Sequence, residues 1–332
     1  KPEARQVMIL GWLKLTLLLA MSGVLLGMLV SAIVSVFWKA HIKIDDPALK
    51  AKLALLLSSM PLLSGGLLLA GAFGPSVLHL FGVVADHCGS HGDHHPFHLC
   101  FLHGNSIELG YWVWIGSALL SARVLLHWSK VWRKTAKTRG LSQTLLRLSN
   151  HDEQDNVWYI ESARAFAFTI GFLSPRVCIS TQLVKELDAE QLQVVIAHEH
   201  QHARSRDGLR LLLIELFAPL LLPQTHQFLA AEFELSREQL CDEAAAETKD
   251  RLLVAETILA FGRLQKKEPQ PSFALAFGQC EIEERVHSLL EHPPRAGARY
   301  VFISALLGAS LLFLSTHTHI HHAMEALLGN LH

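Results

Sequence analysis

The 332-residue chain is half hydrophobic and only 18% charged, with 29 basic and 30 acidic side chains and a formal net charge of −1. A soluble domain of this length covers its surface with more charge than that. Together with a mean hydropathy of +0.28, the balance excludes an ordinary soluble enzyme and points to a membrane protein.

The apolar residues come in blocks. Residues 10–38, interrupted only by Lys14, form the first. Residues 53–81 form the second, with Pro61 and the Gly74-Pro75 pair expected to kink or end it. Residues 107–126 form the third and residues 300–315 a shorter fourth. About 20 apolar residues cross a bilayer core, so four transmembrane helices are expected. Trp12, Trp38, Trp112 and Trp128 fall near span ends, as an interfacial belt requires. The first span is too long for the apolar core of a cleaved signal peptide. The sequence opens on Lys1, and Met8 is a candidate initiator.

Basic residues orient the spans. Lys39, Lys43, Lys50 and Lys52 lie between the first two spans, residues 82–106 contain no Lys or Arg, and Arg123, Lys130, Arg133, Lys134, Lys137 and Arg139 accompany or follow the end of the third. Both termini and the 82–106 loop are therefore expected outside a bacterial cytoplasmic membrane, with residues 129–298 in the cytosol. This divides the chain into residues 1–128 (three spans and the outer loop), a cytosolic domain at 129–298, and residues 299–332 (last span and tail). The same rule accounts for the basic run at 130–139, so lipid is an expected partner and nucleic acid is not.

Both expected outer segments are rich in histidine. The loop carries His87, His91, His94, His95, His98 and His103 with Asp86, Asp93, Cys88 and Cys100, and the tail carries His317, His319, His321, His322 and His332. Such tracts read as transition-metal sites, zinc, copper or nickel by ligand type. A metal-responsive outer sensor is the expectation. Cys88 and Cys100 can form a disulfide there, whereas Cys178, Cys241 and Cys280 are expected to stay reduced inside.

In the cytosolic part, residues 141–156 are polar and read as a connecting helix and loop. Residues 157–179, rich in aromatic and β-branched side chains, read as two or three short strands, one of them an edge that can pair with an extended substrate. Asp188 with Gln191 makes a capping box before the apolar Leu192, Val195 and Ile196. The helix so begun contains His198-Glu199-His200-Gln201-His202, an HExxH pattern. His198 and His202 lie one turn apart on one face and can offer two imidazole nitrogens to one metal ion. Glu199, rotated by one position, can reach a metal-bound water and take its proton, the arrangement of a zinc hydrolase. His200 points elsewhere.

A catalytic zinc needs a third protein ligand. Glu238 and Asp242 are again i and i+4 in a second helical stretch, so that either can ligate while the other holds a histidine N–H. Arg206, His226 and Arg237 are candidate oxyanion donors, and Cys241 is expected to be a packed helix residue. Residues 209–222 are apolar but too short to cross and contain Glu215; they read as a helix on or dipping into the membrane, with a core helix of the domain as the alternative. Residues 266–278 read as an exposed linker loop.

The stretch from Asp188 to Asp207, ending HEHQHARSRD, resembles the active-site helix of the BlaR/MecR-type antirepressor metalloproteases. SREQLCDEAA resembles that family's glutamate-to-aspartate segment, and Ala167-Phe168-Thr169-Ile170-Gly171-Phe172 with Pro175-Arg176-Val177 resembles the strands before its catalytic helix. The resemblance covers about residues 157–246 through motifs and the remainder through topology. It implies a multipass, mainly α membrane protein with a zincin-like (gluzincin) α+β domain. His198, His202 and Glu238 would hold a zinc ion, Glu199 would be the catalytic base, Asp242 would support a ligand, and Asp207 would be structural. Its implied substrate is a cytosolic transcriptional repressor, and self-processing in that family makes the 266–278 loop a candidate cut site beside its reading as a plain linker. The family's penicillin-binding domain has no counterpart in the short tail, so β-lactam sensing is not expected. Two other expectations stand beside this: a housekeeping protease similar to HtpX or the CAAX prenyl proteases, and a non-catalytic metal-binding membrane protein.

Overall fold

The computed structural model describes residues 2–42, 44–82, 110–266 and 282–291. The expected fourth span, both histidine clusters, Cys88, Cys100, Cys280 and most of the candidate cleavage loop lie outside them.

Helices α1 (Pro2–His41) and α2 (Pro47–Leu80) form a hairpin. The turn is set by Asp46, whose Oδ1 accepts from the amides of Ala48 (2.8 Å) and Leu49 (3.2 Å), followed by Pro47 in the first turn. Among the described residues these two helices are long and apolar enough to cross a membrane, with 18-residue stretches of mean hydropathy 2.5 within Leu10–His41 and 1.9 within Pro47–Gly74. Leu25, Leu29, Ile33 and Val36 leave an apolar face of α1 uncovered, which a bilayer accommodates and water does not.

The helices touch through small residues. A Cβ on Gly27 would sit 2.1 Å from Ser64 Oγ and 2.5 Å from the Met60 carbonyl, and one on Gly23 would sit 2.5 Å from Gly65 Cα. Glycines four apart let two backbones approach this closely. Ser64 Oγ donates to the Gly23 carbonyl at 2.6 Å.

Of the two outcomes expected at Pro61 and Gly74-Pro75, a kink or an end, the end does not occur: α2 runs through both. Pro61 has no N–H for the Leu57 carbonyl one turn back, and Ser31 Oγ of α1 donates to that carbonyl instead, at 2.7 Å. The neighbouring helix satisfies the group that proline leaves open. Trp38 departs from the expected interfacial belt too: it is buried, edge-on to Phe228 with ring centroids 5.5 Å apart.

Helix α3 (Trp112–Arg147) begins inside the third expected span, continues through the basic run and supplies the helical part of the expected connector. Four strands follow: β1 (Asn150–Asp152), β2 (Val157–Ile160), β3 (Ala167–Ile170) and β4 (Arg176–Ser180). Sheet order is β1-β2-β4-β3, with β2 and β4 parallel and the outer pairs antiparallel. The β3–β4 turn needs Gly171 at φ +105°, where a Cβ would meet the Ser174 carbonyl at 2.6 Å.

After α4 (Thr181–Glu186) comes α5 (Ala189–Ser205), which lays Val195 and Ile196 on Val157, Val177 and Ile179 of the sheet. Its other side meets α8 (Arg251–Lys266) and α9 (Ile282–Glu291) through Val194, Val254, Ile258 and Leu289. The apolar run at 209–222 becomes α6 (Asp207–Phe217) and a 3-10 turn. Its Leu211 and Ile214 are buried in a cluster with Trp38, Ala54 and Leu57 of the hairpin and Leu229 and Phe233 of α7 (Pro223–Ala246). Side chains of α3 hold the far end: Arg123 donates to the Leu221 carbonyl (2.8 Å), Trp128 to Leu216 (2.9 Å), and His127 bonds Glu215 (2.9 Å).

Candidate metal centre

The site lies where α5 crosses α7. The capping box that starts α5 forms as the sequence indicates, with the Gln191 amide donating to Asp188 Oδ1 at 2.8 Å and the Asp188 amide to Gln191 Oε1 at 3.4 Å. Three turns on, His198 Nε2 and His202 Nε2 stand 3.1 Å apart. Glu238 of α7 closes the group, Oε2 lying 3.4 Å from His198 Nε2 and Oε1 3.5 Å from His202 Nε2. Ligand bonds of about 2.0–2.2 Å in a tetrahedron give edges of about 3.3–3.5 Å. The donor set, two imidazoles and a carboxylate, therefore fits a zinc ion in both chemistry and spacing.

The opposite ring nitrogens are occupied. His198 Nδ1 lies 2.9 Å from Asp242 Oδ1, and His202 Nδ1 lies 2.8 Å from Asp207 Oδ2. Each imidazole thus donates backwards to an acid and directs its other nitrogen into the cluster, the device that fixes tautomer and ring orientation in metal sites. Asp207 gets there because Arg206, at φ 51°, ends α5 in the left-handed region and turns the chain back.

Cys241 also falls close, its donor atom and those of His198 and His202 lying within 4.8 Å of one another. Its sulfur stands 3.1 Å from His202 Nδ1, on the side already taken by Asp207, not the side facing His198 and Glu238. Burial and the charges of Glu238, Asp207 and Asp242 push its thiol well above the ordinary value, so it remains neutral. By position, Glu238 faces both Nε2 atoms, whereas Cys241 lies against the far nitrogen of His202.

Charges around the cluster are matched. Burial raises the Glu238 carboxyl, but the His198 hydrogen bond and the charges of Arg285, His202 and Arg237 outweigh it and hold the group well below the usual carboxylate range. Asp242 is likewise lowered against burial, chiefly by Arg285. For His198, burial acts downward, yet the hydrogen bonds and charges of Asp242 and Glu238 push it up to about 9. Before a metal binds, that ring is a cation between two acids.

Glu199 is buried beside the pair, and Thr169 Oγ1 of β3 lies 2.8 Å from its Oε2 and 2.9 Å from its carbonyl. Of the two edge strands, β1 and β3, it is β3 that packs on α5, and among the described residues no strand pairs with its outer side. Of the candidate oxyanion donors, Arg237 lies 2.9 Å from Glu238 Oε1, His226 pairs with Glu215 at 3.5 Å, and Arg206 forms the helix end. His200 turns away to the Asp155 carbonyl at 2.7 Å. Sequence spacing indicated no role for Thr169 or Arg285, and the family resemblance implied only a structural one for Asp207. Thr169 and Arg285 are remote in sequence, and position i+5 from His202 lies off its face of a continuing helix.

The family model described as BlaR1 peptidase M56 matches residues 96–289, more than half of the chain. A "Protease HtpX homolog" of Thermoanaerobacter pseudethanolicus is 37% identical over 70 residues, 20% of this chain and 23% of that relative's length.

Proposed function

The chain belongs to the BlaR1 peptidase M56 family, and from that premise we propose that it is a membrane-embedded zinc endopeptidase. It cuts a cytosolic protein, by resemblance a transcriptional repressor, in response to a signal outside a bacterial cytoplasmic membrane. A transition-metal ion sensed by the histidine clusters is the candidate signal. One observation carries the enzymatic part: two imidazole nitrogens 3.1 Å apart, each 3.4 to 3.5 Å from an oxygen of the Glu238 carboxylate, with the two back-facing imidazole nitrogens each held by an acid.

In this reading His198, His202 and Glu238 hold the ion, while Asp242 and Asp207 keep the rings aimed. When bound, zinc supplies a Lewis acid that polarises a carbonyl and makes a neighbouring water acidic. β3 aligns the substrate backbone by strand addition. Glu199, steadied by Thr169, accepts the proton of the attacking water and passes it to the amine as the peptide C–N bond breaks. Arg237 borders the cluster and is placed to stabilise negative charge on the carbonyl oxygen.

The test compares cells carrying the wild type with cells carrying Glu199→Gln. A cytosolic protein that loses full length only with intact Glu199 supports the reading; identical protein profiles under induction with zinc, copper or nickel and with cell-wall stress refute it. The HtpX-like stretch favours a second reading, housekeeping proteolysis, in which many membrane proteins rather than one repressor would persist in the variant.

A further inference from the structure

The chain returns to the donor cluster through α9, a ten-residue helix docked on α7 and α8. Leu289 is buried and its carbonyl accepts from Arg251 at 2.7 Å, while Gln239 donates to the Glu284 carbonyl at 3.4 Å. This docking aims one guanidinium into the site. Arg285 Nε and one terminal nitrogen fork onto Asp242 at 2.8 and 2.7 Å, and the other terminal nitrogen lies 3.2 Å from Glu238 Oε2. One side chain thus touches both the acid that aims His198 and the acid that faces both histidines.

A planar fork fixes a carboxylate plane in a way a point charge does not. Without Arg285, Asp242 keeps its bond to His198 but loses what fixes its own plane, and Glu238 keeps only Arg237 among its close arginine partners described above. Two buried acids, Glu238 and Asp242, would then each have one arginine partner fewer. Uncompensated buried charge is costly, so the acids would splay or draw in water.

We propose that Arg285 is a positioning residue for the metal ligands, acting through Asp242 on His198 and directly on Glu238, so that metal affinity depends on the docking of α9. The inference rests on the reading of His198, His202 and Glu238 as the metal site. A residue that only packed α9 would change fold stability and leave the coordination intact.

The experiment uses the full chain in detergent, as wild type, Arg285→Ala, Arg285→Lys and His198→Ala. Zinc affinity is measured by competition with a chromophoric chelator, and the visible spectrum of the cobalt(II)-loaded protein reports ligand number and geometry. Arg285→Ala should weaken zinc binding about 10–100-fold, the usual effect of losing a group that orients ligands, and shift the cobalt bands. Arg285→Lys, which keeps the charge without the fork, should fall between. His198→Ala should abolish tight binding. An Arg285→Ala protein with wild-type zinc affinity and cobalt spectrum, alongside a His198→Ala protein that fails to bind, would overturn the inference and leave the metal reading standing. Tight zinc binding by His198→Ala would remove the metal reading itself. Should alanine prevent folding, Arg285→Lys decides, unchanged affinity and spectrum counting as refutation.

Discussion

A metal entering the cluster must displace a proton. His198 is raised to about 9 in the metal-free site, held between Asp242 and Glu238. Its Nε2 must be deprotonated to ligate, so apparent zinc affinity should climb with pH until the ring titrates. At pH 7.5 about 3% of the rings are neutral and at pH 8.5 about a quarter, which gives a rise of about eightfold across that unit. A histidine with the ordinary value near 6.5 would give a change of less than about 10% over the same range. Competition with a chelator of known pH dependence measures the ratio. Calorimetry in buffers of different ionisation enthalpy should count about one proton released per zinc at pH 7.5. A change of less than about twofold between pH 7.5 and 8.5, with no proton released, would refute the reasoning. The metal-free fold should show the opposite trend. A raised histidine stabilises it fully below about 6.5, and that contribution is lost as pH rises through about 9.

Three further outcomes follow from contacts described above. Gly27→Leu should separate α1 from α2, since even a Cβ there falls 2.1 Å from Ser64 Oγ; cross-linking of cysteines introduced across the hairpin should drop sharply, and unchanged cross-linking would contradict the close approach. Phe233→Ala, emptying a 2% exposed position shared by the hairpin, α6 and α7, should cost about 3–5 kcal/mol in chemical denaturation of the detergent-solubilised protein. Thr169→Val should leave zinc affinity within about twofold while lowering kcat on a cleaved peptide about tenfold, since it removes a hydroxyl within hydrogen-bond reach of Glu199 but no proposed ligand; an equal loss in both would place Thr169 in metal binding.

The parts of the fold that were legible in the sequence are those written in short spacings. Asp188 and Gln191 declared the start of α5, the i, i+4 histidines declared a shared face, and the β-branched run at 157–179 contains the three strands β2, β3 and β4. What spacing does not encode was missed. Proline chemistry argued for a break at Pro61, and only a serine from another helix removes the penalty. In the polar stretch after the third block the expected helix is present as the end of α3, but β1 was not foreseen, because it pairs with a strand that this stretch could not specify alone. Gly23 and Gly27 did carry a visible four-residue spacing, which acquires meaning once Ser64 and Gly65 are known to face it. Asp207 needed the left-handed turn at Arg206, and Arg285 needed a helix more than forty residues beyond its acids.

Helix α6 is eleven residues long, a rod of about 16 Å. Its first residue grips the back of an imidazole, while α3 holds carbonyls in its last turn and the turn beyond. A strut so short has no room to flex, and both anchorages share its rigid-body freedom. Any tilt of α3 that drags those carbonyls therefore arrives at His202 as a rotation of the ring, with no intervening loop to absorb it.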